Sequence, residues 1–145
     1  MTSAYNELYL ANAQRTLANC FDYAVNSLKI PFERFYMMFA VSDLAGKFEK
    51  GDPFVISGKS GIELALLVME KNTGIYEYRD RVYPEGKSRE YWAGWAIAFY
   101  QWYSGCTFRR LHEDVPVTDI IHMYDKYHEM DIMHFVDHIE ELRIR

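Results

Sequence analysis

"YWAGWAIAFYQWYSG", residues 91–105, is the stretch on which the fold turns. Seven of the thirteen residues from Tyr91 to Tyr103 are aromatic, and all three tryptophans of the chain lie among them. No charged residue falls between Glu90 and Arg109. Ser88 stands where a helix N-cap belongs and Gly105 where a helix ends, so the spacing predicts a helix over 89–103. On a helical wheel Tyr91, Trp92, Trp95, Phe99, Trp102 and Tyr103 share one broad face. Ala93, Gly94, Ile97 and Ala98 share the other, with Tyr100 and Gln101 beside them. A surface helix carries charge on its outer side, and this one carries none, which predicts a central helix buried all round. Gly94 and Ala98, four apart, predict that a neighbouring helix comes close. A membrane span needs about 20 apolar residues. This run contains Gln101, Ser104 and three tyrosines and stops at Gly105, so no membrane span is expected. Its C-terminal end, at Trp102 and Tyr103, is a candidate partner-binding patch.

Working outward, helical signals continue on both sides. Over residues 4–28, Leu10, Leu17 and Ala24 recur every seven residues, with Ala13, Cys20, Phe21 and Leu28 between them, in one apolar stripe. Asn12, Asn19 and Asn26 recur every seven on another face, which reads as solvated. Pro31 suits the first turn of a following helix whose apolar face is Phe32, Phe35, Met38, Phe39, Ala45 and Phe48, ended by Gly51 and Pro53. Ser60 and Glu63 form an S-x-x-E capping box ahead of Leu64, Leu67 and Val68, and Gly74 closes that helix. "SGKSG" (57–61) has glycines but lacks the phosphate-loop spacing, so no phosphate site is read there. Residues 75–87 form a connecting loop with a short extended piece at Tyr76, Tyr78 and Val82 and a turn at Pro84 to Gly86.

Half of the 145 residues are hydrophobic, which argues against disorder and gives one sizeable core. The net charge of −5 opposes non-specific binding to nucleic acid or anionic membrane. Cys20 and Cys106 show no C-x-x-C spacing and read as free thiols in a reducing compartment, with a bridge between them as the alternative. The N-terminus lacks a basic region followed by an apolar run, so a cytoplasmic location is expected.

The charge is uneven. Residues 111–145 hold nine acidic residues against Lys126, Arg143 and Arg145, and all five histidines. The final helix has Ile132, Phe135, Val136, Ile139 and Leu142 as its core stripe, and Asp131, His134, His138 and Glu141 form a second stripe beside it. His134 and His138 have the spacing of a metal pair on one helical face, but "HEMDI" is not H-E-x-x-H, and no metal and no cofactor is expected. Protonation of the histidines in mild acid would reduce the acidity of this end. No serine or cysteine has a recognisable nucleophile context. The two candidate recognition helices carry mostly acids rather than Arg, Lys, Asn and Gln, which argues against a helix-turn-helix reading.

"SGIELA" (60–65), "EYWAGWAIAFYQWYSG" (90–105) and "MYDKYHEMDIMHFVD" (123–137) together resemble a family of small uncharacterised bacterial helical proteins found beside ADP-ribosyltransferase-like proteins. The resemblance implies a partner or neutralising role, antitoxin-like or immunity-like, and assigns no residue. The chain thus reads as a single all-α domain, 1–145, a bundle of about five to seven helices around 89–103. Its expected function is that of a non-enzymatic protein-interaction module docking a basic surface. The candidate residues are Glu129, Asp131, His134, Asp137, His138, Glu140 and Glu141, with Trp102 and Tyr103. The alternative is a small-ligand binder or enzyme with a cleft lined by Tyr, His and carboxylates.

Overall fold

A computed structural model describes residues 2–82 and 88–144. The turn expected at Pro84 to Gly86 lies outside the described residues. Among those described there is helix and no strand. A 3-10 turn, Glu7–Tyr9, leads into α1 (Leu10–Asp22), which continues as a π-helical turn, Tyr23–Ser27. Then come α2 (Phe32–Ala40), α3 (Asp43–Glu49), α4 (Pro53–Ile56), α5 (Gly61–Thr73) and α6 (Arg89–Ser104). The chain finishes with α7 (Phe108–Asp114), α8 (Val117–His122), α9 (Tyr124–Tyr127) and α10 (Ile132–Ile144).

The predicted starts and stops hold where a capping side chain fixes them. Ser60 Oγ accepts from Glu63 N at 3.1 Å, and Glu63 Oε1 accepts from Ser60 N at 3.2 Å, completing the capping box of α5. The Ser88 and Thr107 hydroxyls cap α6 and α7, accepting from Tyr91 N and Arg110 N at 3.1 and 3.0 Å. Gly74 and Gly105 take the left-handed conformation that closes α5 and α6. The ten α-helices among the described residues exceed the expected five to seven because two expected helices are broken and a short one, α4, forms at Pro53, where only a stop was expected. Ser42 interrupts the one expected after Pro31: its hydroxyl donates to Phe39 O at 2.7 Å and accepts from Ala45 N, so it ends one helix and starts the next. The one expected after Pro116 restarts at Tyr124.

The aromatic run is not buried all round. The face of α6 that is shut off from solvent is the small one, Ala93, Gly94, Ala96, Ile97 and Ala98, together with Trp92, Tyr100 and Gln101. Tyr91, Trp95, Phe99, Trp102 and Tyr103 are only half-buried. The physical reason is helix separation. A Cβ on Gly94 would stand 2.6 Å from Leu17 O and 2.7 Å from Ala18 Cα, so α1 and α6 touch through backbone. Gly61 does the same on another side of α1, where a Cβ would meet Asn19 Cβ and Thr16 O at 2.5 Å. α1 is therefore gripped between α5 and α6, and the glycine after Ser60 serves packing.

The aromatic core lies elsewhere. Phe21, Phe35, Tyr36, Phe39, Phe48 and Phe108, from α1, α2, α3 and α7, are all fully buried. Phe39 sits among them, with ring centroids 6.1 Å from Phe21, 6.1 Å from Phe48 and 5.0 Å from Phe108. Tyr36 donates its buried hydroxyl to Phe108 O at 2.6 Å, which satisfies its polar tip.

Candidate functional site

The acidic, histidine-rich end is built on α9 and α10. The core stripe of α10 forms as its spacing predicts: Phe135, Val136 and Ile139 are buried, and Ile132 and Leu142 pack at the margin. Phe135 lies edge-on to Trp92 of α6 at 5.4 Å, which fixes the helix on the body of the protein. With that face committed, the adjacent stripe borders a groove of about 350 Å³ lined by Lys126, Tyr127, Met130, His134, Asp137, His138 and Glu141. His138 stacks on the Tyr127 ring at 5.5 Å, and Lys126 Nζ lies 5.3 Å from the same ring. Lys126, Met130, His134, Asp137 and Glu141 are exposed, so the groove is an open surface.

Four of the nine sequence candidates, His134, Asp137, His138 and Glu141, therefore come together. Glu129 is exposed at the edge of this end, with Oε1 3.3 Å from His128 Nε2. Asp131 is structural as well as acidic: Oδ1 accepts from Met133 N at 2.9 Å and caps α10. The remaining three are held within the chain. Glu140 Oε2 accepts from Tyr100 OH at 2.9 Å. Trp102 donates its indole N–H to Tyr5 O at 2.8 Å and accepts from Ala4 N at 2.8 Å, so the N-terminal segment is bonded across it. Tyr103 stacks on Phe99 at 6.4 Å. Tyr127, Lys126 and Met130 line the groove without having been singled out in the sequence; their signal was the aromatic and methionine content of "MYDKYHEM" beside a His/acid stripe.

A charged network anchors α10 to α6 and α7. Arg143 donates from Nε to Asp114 Oδ2 at 2.9 Å and from Nη1 to Tyr100 OH at 2.8 Å, and Arg110 also donates to Asp114. The Arg143 hydrogen bond is the main cause holding the Asp114 carboxyl below the usual carboxylate range. Burial pushes the Tyr100 hydroxyl up to about 12. A carboxyl lowered in the fold contributes stability that is present above its ordinary range and is lost as pH falls through the lowered value. Arg143→Gln is expected to cost about 1–3 kcal/mol at neutral pH, because the buried Tyr100 hydroxyl loses its donor and the Asp114 carboxylate loses one of its two. The gap between parent and variant should narrow in acid, as Asp114 protonates in both. Urea denaturation at a series of pH values checks this; a gap that widens in acid would contradict the assignment.

His112 does not belong to the acidic face. It is half-buried, 5.6 Å from the Tyr36 ring, and its Nδ1 accepts from Val117 N at 3.0 Å. Among the described residues no group of three or more His, Cys, Asp or Glu side chains is arranged to hold a metal ion. Cys20 and Cys106 are free thiols, both pushed up in pKa, chiefly by burial, which is the opposite of nucleophile activation. Among the described residues no helix is long and apolar enough to cross a membrane.

The asparagine ladder is also corrected. Asn19 and Asn26 are half-buried and work with Asp22, which is fully buried. Asp22 Oδ1 accepts from Ser88 Oγ at 2.5 Å and from Asn26 Nδ2 at 3.0 Å, while Oδ2 faces Arg81 Nη2 at 3.6 Å. Asn26 also donates to Glu90 Oε1 at 3.0 Å, and Arg81 donates to Asn19 Oδ1. The network ties Arg81 and Ser88, on either side of residues 83–87, to the end of α1.

No protein-family model, curated protein or solved structure matches this chain.

Proposed function

We propose that the chain is a protein-interaction module whose α9–α10 face docks a basic surface on a protein partner, in keeping with an antitoxin-like or immunity-like role. The observation that carries this reading is the open groove itself, where exposed His134, Asp137 and Glu141 lie beside His138, Tyr127 and Lys126. Exposed Met130 and the Tyr127 ring supply adaptable apolar contact at the same place. Charge around such a centre raises the association rate and selects a complementary partner.

A ligand-binding or enzymatic reading draws on the same groove, because two histidines, two carboxylates and a tyrosine converge there. The exposure of most of the lining favours a macromolecule over an enclosed small molecule. The test compares the parent with Glu129→Gln/Asp137→Asn/Glu141→Gln, each immobilised and offered a lysate of the source cells. A protein retained by the parent at about 0.1 M salt, released near 1 M, and not retained by the variant supports docking. Equal retention by the variant removes the acidic face from the interaction. Retention of no protein, with a small molecule that raises the melting temperature of the parent alone, would favour the cleft reading.

A further inference from the structure

Residues 75–81, "IYEYRDR", run without helix, turn or bend along the outside of the π-helical turn. Ile75, Tyr76, Tyr78 and Val82 are 58%, 47%, 57% and 47% exposed. This strap is nonetheless pinned. The Tyr23 hydroxyl accepts from Arg79 N and donates to Arg79 O, both at 2.7 Å, and Tyr78 stacks on the Tyr23 ring at 6.1 Å. Val82 N donates to Ser27 Oγ at 3.0 Å, and Arg81 reaches Asn19 and Asp22.

One edge of the strap is therefore committed. In an extended chain, successive residues turn their N–H and C=O groups to opposite edges. Both polar groups of Arg79 face Tyr23, so over the unbent run that ends at the bend of Val82 this alternation turns those of Tyr76, Tyr78 and Asp80 to the other edge. No backbone hydrogen bond among the described residues uses Tyr76, Tyr78 or Asp80. An ordered, exposed edge with unpaired groups is a template for another strand.

We propose that this edge is the two-fold interface of a homodimer, in which the straps of two copies pair antiparallel about Tyr78. The charges select a second copy as the occupant. Antiparallel pairing centred on Tyr78 makes Tyr78 opposite Tyr78 a hydrogen-bonded pair, and Tyr76 opposite Asp80 another. It sets Glu77 opposite Arg79 of the second copy, twice, in the closer non-hydrogen-bonded position. The strap carries Glu77 and Asp80 against Arg79 and Arg81, so it is neutral although the chain carries −5. Such an isologous contact is self-complementary and closed. Pinning by Tyr23, Ser27 and Asp22 orders the strap beforehand, which lowers the entropic cost of association.

Sedimentation equilibrium over a concentration series tests the proposal on the parent, Glu77→Arg, Arg79→Glu and the double variant. Both side chains are exposed, and the strap is held through backbone and other residues, so the fold tolerates all three. The parent is expected to dimerise from its 17.2 kDa protomer. Each single change sets like charges opposite each other twice and should weaken the dimer by roughly tenfold or more in Kd. The double variant reverses both charges and should restore it. A parent that stays monomeric overturns the proposal, as do single variants that dimerise like the parent, or a double variant that stays weakened.

Discussion

Gly94→Ala is expected to destabilise the protein by about 3 kcal/mol, although alanine is the better helix former by about 1 kcal/mol. The added Cβ would lie 2.6 Å from Leu17 O and 2.7 Å from Ala18 Cα, and these are backbone atoms of α1 that cannot swing aside. The helices must separate, and each ångström of separation loosens the small-residue face of α6. Gly61→Ala should behave alike on the other side of α1, where Thr16 O and Cys20 N stand at 2.5 and 2.6 Å. Gly46 in α3 supplies the control, because nothing lies within 4 Å of its missing Cβ. Gly46→Ala should stabilise by roughly 0.5–1 kcal/mol through backbone entropy. Urea denaturation of the three variants decides the matter. A Gly94→Ala protein as stable as Gly46→Ala would mean that α1 and α6 do not meet through backbone.

Phe39→Ala is expected to cost about 3–5 kcal/mol, since a fully buried ring leaves a cavity. Its neighbours Phe21, Phe48 and Phe108 come from three other helices, so no single segment can collapse into the space. Trp95→Ala should cost less despite the larger side chain, because Trp95 is half-buried. Thermal melts of both variants check the order. A Trp95→Ala protein that melts below Phe39→Ala would return the aromatic run of α6 to the centre of the core.

Much of the helical layout was legible because local chemistry sets it. Ser60 with Glu63, Ser88, Thr107, Gly74 and Gly105 each act on their own backbone within a few residues. The inversion of α6 was not legible for a related reason. A wheel shows which residues share a face, but which face lies deepest depends on how near the next helix comes, and that is settled by Gly94 meeting Leu17 and Ala18, some 75 positions away in the chain. The break at Ser42 was hidden because a serine inside an apolar pattern signals a cap only once its hydroxyl has chosen Phe39 O and Ala45 N. At the candidate site, the stripe of His134, His138 and Glu141 followed from helical period alone. The withdrawal of Glu140 into a network did not, because its partner Tyr100 comes from α6 and is held in turn by Arg143 of α10, which also binds Asp114 of α7. Asn19 and Asn26 looked solvated for the same reason, since Arg81 and Glu90 reach them from distant segments.

The measurement that tests the central claim most directly is the association rate with the partner retained by the parent protein, at about 0.1 M and about 1 M ionic strength. It is made for the parent and for Glu129→Gln/Asp137→Asn/Glu141→Gln, with matched melting temperatures as the control for folding. If the α9–α10 face steers a basic partner, the variant associates severalfold more slowly at low ionic strength, and the two rates converge at high ionic strength. Equal rates for the two proteins at low ionic strength would contradict the account.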